Sequence, residues 1–213
     1  MPRVDLKQGQ MQKHVARALK ELRDGFVIVA PLEHGYVYLA DAFAHFSVRA
    51  MHVLRRDEEG IAAQVLVHNA ATVDGLAREV PQDAKVLMDE FWPGPLSLNL
   101  RPVRALTWDL GDNQELDLFS VRAPKSRFVK ALLKVSGPLA AASAAPAGHK
   151  PMLKINRADV KDWDVAVVFD NGELKSGPKT SIVEVSDAGL KIVREGAISA
   201  KDLTAVAPSI SAR

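Results

Sequence analysis

Gly25-Phe26-Val27-Ile28-Val29-Ala30-Pro31 sets the fold class. The five apolar residues from Phe26 to Ala30 show neither the alternation of a half-buried strand nor the 3.6-residue period of a helix. Bounded by Gly25 and Pro31, they predict a short strand covered on both faces. Upstream, Met11, Val15, Ala18, Leu19 and Leu22 recur at helical spacing with charged residues between them, and Gly25 stands where a helix should stop. This pairing of helix and buried strand recurs: residues 43–54 lead to an apolar run at 63–67, and residues 126–135 lead to one at 138–142. Leu96–Leu100, Leu116–Arg122 and Asp164–Phe169 are further strand candidates. Thr180–Val185 and Leu190–Arg194 alternate in polarity around Asp187-Ala188-Gly189, which predicts a hairpin. Helices interleaved with buried strands, plus a hairpin, predict an α/β layered domain built on one mixed sheet. No repeat or interdomain linker interrupts it, so one domain is expected over residues 1–204, followed by a short, loosely ordered tail at 205–213.

Composition narrows the function classes. With 28 basic and 26 acidic residues and a formal charge of +2, the chain has no bulk polycation, so any nucleic-acid contact must be a local patch. The lack of cysteine excludes disulfides, thiolate metal sites and a cysteine nucleophile, and it agrees with a cytoplasmic location. No apolar run approaches the ~20 residues of a membrane span, and the first 23 residues alternate charge with apolar side chains rather than forming a signal-peptide core. His14, His45 and His52 have no carboxylate at ligand spacing and are expected to be surface or satisfied groups; no metal site is expected. Phosphate-binding glycine loops of the two common types and a nucleophile elbow are also lacking.

Five segments carry the chemistry. Phe91-Trp92-Pro93-Gly94-Pro95-Leu96 places two prolines around a glycine between a helix-like and a strand-like run, an anchored turn. The others are Pro31-Leu32-Glu33-His34-Gly35-Tyr36, Val121-Arg122-Ala123-Pro124, Ser143-Ala144-Ala145-Pro146-Ala147-Gly148 and Val193-Arg194-Glu195-Gly196-Ala197-Ile198-Ser199. In this order and at these separations they resemble the YrdC-type threonylcarbamoyl-AMP synthase family, from the first helix to Leu203. Trp108-Asp109-Leu110-Gly111-Asp112 is similar to its actinobacterial branch. The resemblance implies a twisted, open mixed sheet with flanking helices and a concave cleft. It also implies an enzyme that condenses threonine, bicarbonate and ATP, with magnesium, to threonylcarbamoyl-adenylate and pyrophosphate for tRNA modification.

By the same resemblance, Arg55, Arg56, Ser143, Thr180, Ser181 and Arg194 are expected at the nucleotide, and Glu33, His34, Tyr36 and Arg122 at the amino acid. The chain departs from the family at several of its positions. Leu32 stands for a threonine, His34 for another, and Val37 for a glycine. Asp57 stands for the second cation of a Lys-x-Arg pair, and Ala145 for the asparagine of a Ser-x-Asn pair. Each lost charge-assisted hydrogen bond is worth roughly 1.5–3 kcal/mol, and Asp57 is expected to repel a phosphate. Arg56 and Lys150 are long enough to compensate from other roots. Two readings follow: an active synthase of this type, or a catalytically degenerate paralogue binding a nucleotide or double-stranded RNA. For the RNA reading, Arg49, Arg55, Arg56, Lys150 and Lys154 must cluster.

Overall fold

The computed structural model describes residues 2–115, 117–156 and 165–211. After an edge strand β1 (Arg3–Asp5), the periodic segment forms α1 (Met11–Arg23), which buries Ala18 and Leu22, and Gly25 follows in the left-handed region at φ +87°. The apolar run forms β2 (Val27–Pro31), with all five residues buried. Its alternate side chains serve two cores: Val27 and Val29 join one, Ile28 and Ala30 the other. Continuous hydrophobicity thus means two covered faces. Phe26, expected in the strand, stays exposed just before it.

The first departure comes at Pro31. The Leu32–Gly35 segment is a tight turn, closed by Leu32 N donating to Gly35 O at 2.9 Å, and the chain returns as β3 (Tyr36–Asp41) antiparallel to β2. A second hairpin therefore lies at the Pro31–Tyr36 motif, and its return strand was not among the strand candidates. The chain continues through α2 (His45–Arg55), β4 (Gln64–Leu66), a 3-10 turn at Ala70–Gly75, α3 (Gln82–Phe91) and β5 (Leu96–Leu100). Then come β6 (Phe119–Arg122), α4 (Arg127–Ser136), β7 (Leu139–Ser143), β8 (Val165–Asp170), the hairpin β9 (Ser181–Ser186) and β10 (Gly189–Arg194), and α5 (Ala200–Val206). Two expected strand starts, Leu116 and Asp164, lie outside the described residues.

All ten strands form one mixed sheet in the order β1-β8-β2-β3-β7-β4-β6-β5-β9-β10. Parallel pairs (β1 with β8, β2 with β8, β4 with β6, β5 with β9) are mixed with antiparallel ones, among them the run β2-β3-β7-β4. Helices α1 and α4 cover one face through Leu22, Phe128 and Leu132, while α2, α3 and α5 cover the other through Met51, Leu87 and Leu203. Among the described residues no helix is long and apolar enough to cross a membrane.

The Phe91–Leu96 turn is anchored as its composition suggests. Trp92 Nε1 donates to Leu96 O at 2.8 Å, Gly94 N donates to Ala123 O at 2.9 Å, and a Cβ on Gly94 would lie 2.2 Å from Phe91 O. The expected loose tail does not begin at residue 205. Ala207 and Ile210 are buried, and Ser211 exchanges backbone bonds with Leu190 and Ile192 along β10, because these small apolar residues cover an otherwise open end of the core.

Candidate functional site

A cleft of about 580 Å³ opens where the β2–β3 turn, the end of α2, and the ends of β6, β7 and β10 converge. Of the expected residues, Glu33, His34, Tyr36, Arg55, Arg122, Ser143, Thr180 and Arg194 line it, whereas Arg56 and Ser181 do not. Its lining is net positive, with Lys125 and Lys179 added to the three arginines against Glu33 and Asp57.

Arg122 ends β6 with only 5% of its surface exposed. Its Nη2 donates to Glu33 Oε2 at 2.9 Å, and its Nε is buried without any hydrogen-bond partner among the described residues. Burying an unpaired guanidinium donor is costly. Glu33 is in turn fixed by the Lys125 backbone N–H on its other oxygen. An arginine at the cleft wall that is held by one carboxylate suits a second carboxylate such as that of an amino acid.

Arg194 approaches from β10. Its Nε and Nη2 donate to Thr180 O and Oγ1, at 2.9 and 2.8 Å. No carboxylate lies within ion-pair distance among the described residues, and burial pulls its pKa below the usual arginine value. Thr180 connects to a polar floor that sequence patterning does not reveal. Ser97 Oγ donates to Thr180 Oγ1 at 3.4 Å, and Gln64 Nε2 donates to Ser97 and Ser120 at 2.9 and 3.2 Å.

The next residue, Ser181, serves the fold instead. It has no exposed surface; its hydroxyl donates to Ile198 O at 2.6 Å and accepts from Gly196 N and Ile198 N at 3.0 and 2.9 Å. The Glu195–Ser199 loop is pinned to β9 by this one side chain. Tyr36 is likewise committed away from the cleft: its hydroxyl sits 2.8 Å from Asp170 Oδ1 and 2.6 Å from Gly172 O, and accepts from Asn171 N at 3.0 Å. Burial first, then the bond to Asp170, pushes its pKa above the ordinary tyrosine value. His34 is exposed on the rim, its Nδ1 3.2 Å from Lys175 O.

Arg55 lies beside the end of β7, with Nη1 donating to Ser143 O at 3.2 Å. Asp57, expected to repel phosphate, is not a free anion. It is 2% exposed in its side chain and accepts from Arg55 Nε at 3.0 and 2.9 Å and from His52 Nδ1 at 2.8 Å. His52 thus proves satisfied, as expected of a helical histidine, but through a carboxylate five residues on, a spacing outside the i, i+4 pattern of helix faces. Neither Arg56, exposed at the end of α2, nor Lys150 enters the cleft. Ala145 is 2% exposed and also outside the lining, while Leu32 both lines the cleft and packs on the second core. Among the described residues no group of three His, Asp or Glu side chains is placed to hold a metal ion.

Comparisons with known proteins bear on this geometry. The family model Sua5_yciO_yrdC, described as telomere recombination, matches residues 20–196. A Mycobacterium tuberculosis protein bearing the name threonylcarbamoyl-AMP synthase is 30% identical over 198 residues, covering 92% of this chain and 90% of that protein. Pyrococcus abyssi Sua5, solved with L-threonine, superposes with a TM-score of 0.84 at 21% identity over 100% of this chain and 62% of its own. This chain thus spans less than two thirds of that protein. E. coli YciO superposes with a TM-score of 0.79 at 18% identity, over 95% of this chain and 98% of its own. At these identities the two structures establish the shared fold.

Proposed function

Because the chain belongs to the Sua5–YciO–YrdC family, we propose that its cleft binds ATP and threonine and, with bicarbonate, forms threonylcarbamoyl-adenylate and pyrophosphate for tRNA modification. One observation carries this reading: Arg55, Arg122 and Arg194, rooted on α2, β6 and β10, line a single cleft together with Ser143 and Thr180. In the proposed complex Arg122 takes the threonine carboxylate. Arg194 and Arg55 meet the phosphates, where fixed donors stabilise the charge that grows on departing pyrophosphate. Gln64 and Thr180, joined beneath the surface through the buried Ser97 hydroxyl, keep the floor polar without adding charge.

The lining does not fit a resident magnesium site. Its two carboxylates, Glu33 and Asp57, are already taken by Arg122 and Arg55, so magnesium would enter on the nucleotide phosphates, which together with water commonly complete its shell. The test is pyrophosphate release that requires ATP, bicarbonate and threonine together. Release at the rate of a heat-inactivated control, with millimolar substrates, would remove the synthase reading. The buried Asp57–Arg55 pair and the buried Ala145 favour a second reading, a nucleotide-binding paralogue without turnover; calorimetric ATP binding in the absence of pyrophosphate release would select it.

A further inference from the structure

Behind Arg55 stands an arm of residues that runs from the cleft wall, where Asp57 and His52 take part in the lining, to the loop at residues 108–112. Asp57 reaches the guanidinium because Arg56 adopts a left-handed conformation (φ 57°) and turns the chain out of α2. Main-chain bonds from Arg56 N to Val53 O and from Asp57 N to His52 O, both 3.1 Å, hold that cap. His52 bridges onward, its Nε2 2.8 Å from Leu110 O. The close approach requires glycine next in sequence, since a Cβ on Gly111 (φ +105°) would lie 2.2 Å from His52 Nε2. The loop is fixed in its turn: Asp109 Oδ1 accepts from Gly111 N and Asn113 N at 2.8 and 3.2 Å, and Trp108 stacks between Phe43 and Phe119.

Resting on the nucleotide site proposed above, we infer that Asp57 is a positioning residue for Arg55, and that His52 and the Trp108–Asp112 loop are its support. The carboxylate occupies the Nε edge and Ser143 O takes Nη1, while Nη2 has no partner among the described residues. A guanidinium is a planar fork, so fixing one edge aims the other. A flexible arginine would lose rotamer freedom on meeting phosphate; one already held loses less. The same carboxylate read as a free competitor has the opposite effect on phosphate affinity, which makes the sign of one substitution decisive.

The experiment is calorimetric titration of the full chain with ATP, inorganic tripolyphosphate and threonine, for wild type, D57A, D57N, H52A and H52A/D57A, with a thermal melt of each. Removing the carboxylate should weaken both phosphate ligands about 10-fold or more and leave threonine affinity within about twofold. D57N, whose amide oxygen still accepts from Nε, should lose less and serves if D57A does not fold. H52A should fall between wild type and D57A, and the double variant should be no weaker than D57A, as for members of one chain of contacts. Unchanged or tighter tripolyphosphate binding by D57A and D57N overturns the inference while leaving the nucleotide site standing, as does an equal loss for threonine. Wild type that binds neither ATP nor tripolyphosphate overturns the proposed function and this inference with it.

Discussion

Thr180 and Ser181 are neighbours with opposite employment: one hydroxyl meets Arg194 at the cleft, the other is sealed in the core with three backbone partners. Strand alternation divides them. Ser181→Ala leaves the Gly196 and Ile198 N–H groups without their acceptor, at roughly 1–3 kcal/mol for each buried group. A melting temperature lower by several degrees is expected, at about 2–4 °C per kcal/mol for a chain of this size; an unchanged melt would show the hydroxyl to be dispensable. The arginines divide similarly. Arg194→Ala should weaken ATP roughly 10- to 100-fold and spare threonine, and Arg122→Ala should do the reverse, since each loses a charge-assisted donor to one ligand. Titration with the two ligands separately checks both. At this scale the motifs bring Arg55, Arg122 and Arg194, each at the end of its helix or strand, to one cleft, but not Arg56. Their spacing could not resolve Ser181 from Thr180, or show that Tyr36 turns its hydroxyl to Asp170. The His52–Asp57 contact escaped because the partners meet across a helix terminus rather than along a face.

Among the elements, the two connections that bound the cleft are packed tightly enough to predict their failures. A methyl on Gly94 would run into the Phe91 carbonyl, so Gly94→Ala must displace the turn between α3 and β5. It should cost more than about 2 kcal/mol, beyond the glycine-to-alanine gain of roughly 0.4–1 kcal/mol seen at unstrained sites. Denaturant titration measures it, and a stabilised variant would contradict the packing. Ala145→Asn, which would restore the family's Ser-x-Asn pair, puts an amide into a buried position after β7. Lowered stability without tighter ATP binding is expected, by melt and titration of the same sample. Element types were readable where the pattern was regular: the unbroken run of β2, the alternation of the β9–β10 hairpin and the helices before β2, β4 and β7 lie within a few residues of expectation. Strand β3 was not, because Tyr36 to Ala40 is a short unbroken apolar run, which periodicity alone does not distinguish from a buried helical segment.

For the whole molecule, α/β layering followed from the rhythm of helix and buried run, but sheet order did not. Which strand lies beside which depends on pairings between residues more than a hundred positions apart, as in β1 with β8, and local pattern carries no such term. That distant seam also has an acid sensitivity. Burial raises the pKa of Asp170, but the Gly172 N–H, the Tyr36 hydroxyl and Arg3 together outweigh it and hold the carboxyl below its ordinary value. A depressed carboxyl stabilises the fold above its unfolded value of about 4 and loses that contribution as pH falls through the folded one. Wild type should therefore melt higher than Asp170→Asn at pH 7, and the two should converge below about pH 4. A gap that widens in acid would refute the assignment.

The late arrival of β8 between β1 and β2 has a consequence for the protein's making. A ribosome delivers β2 and β3 long before residues 165–170 emerge, so until then the growing chain carries an unzipped backbone ladder along β2, open to any extended neighbour. Closing that ladder waits for β8.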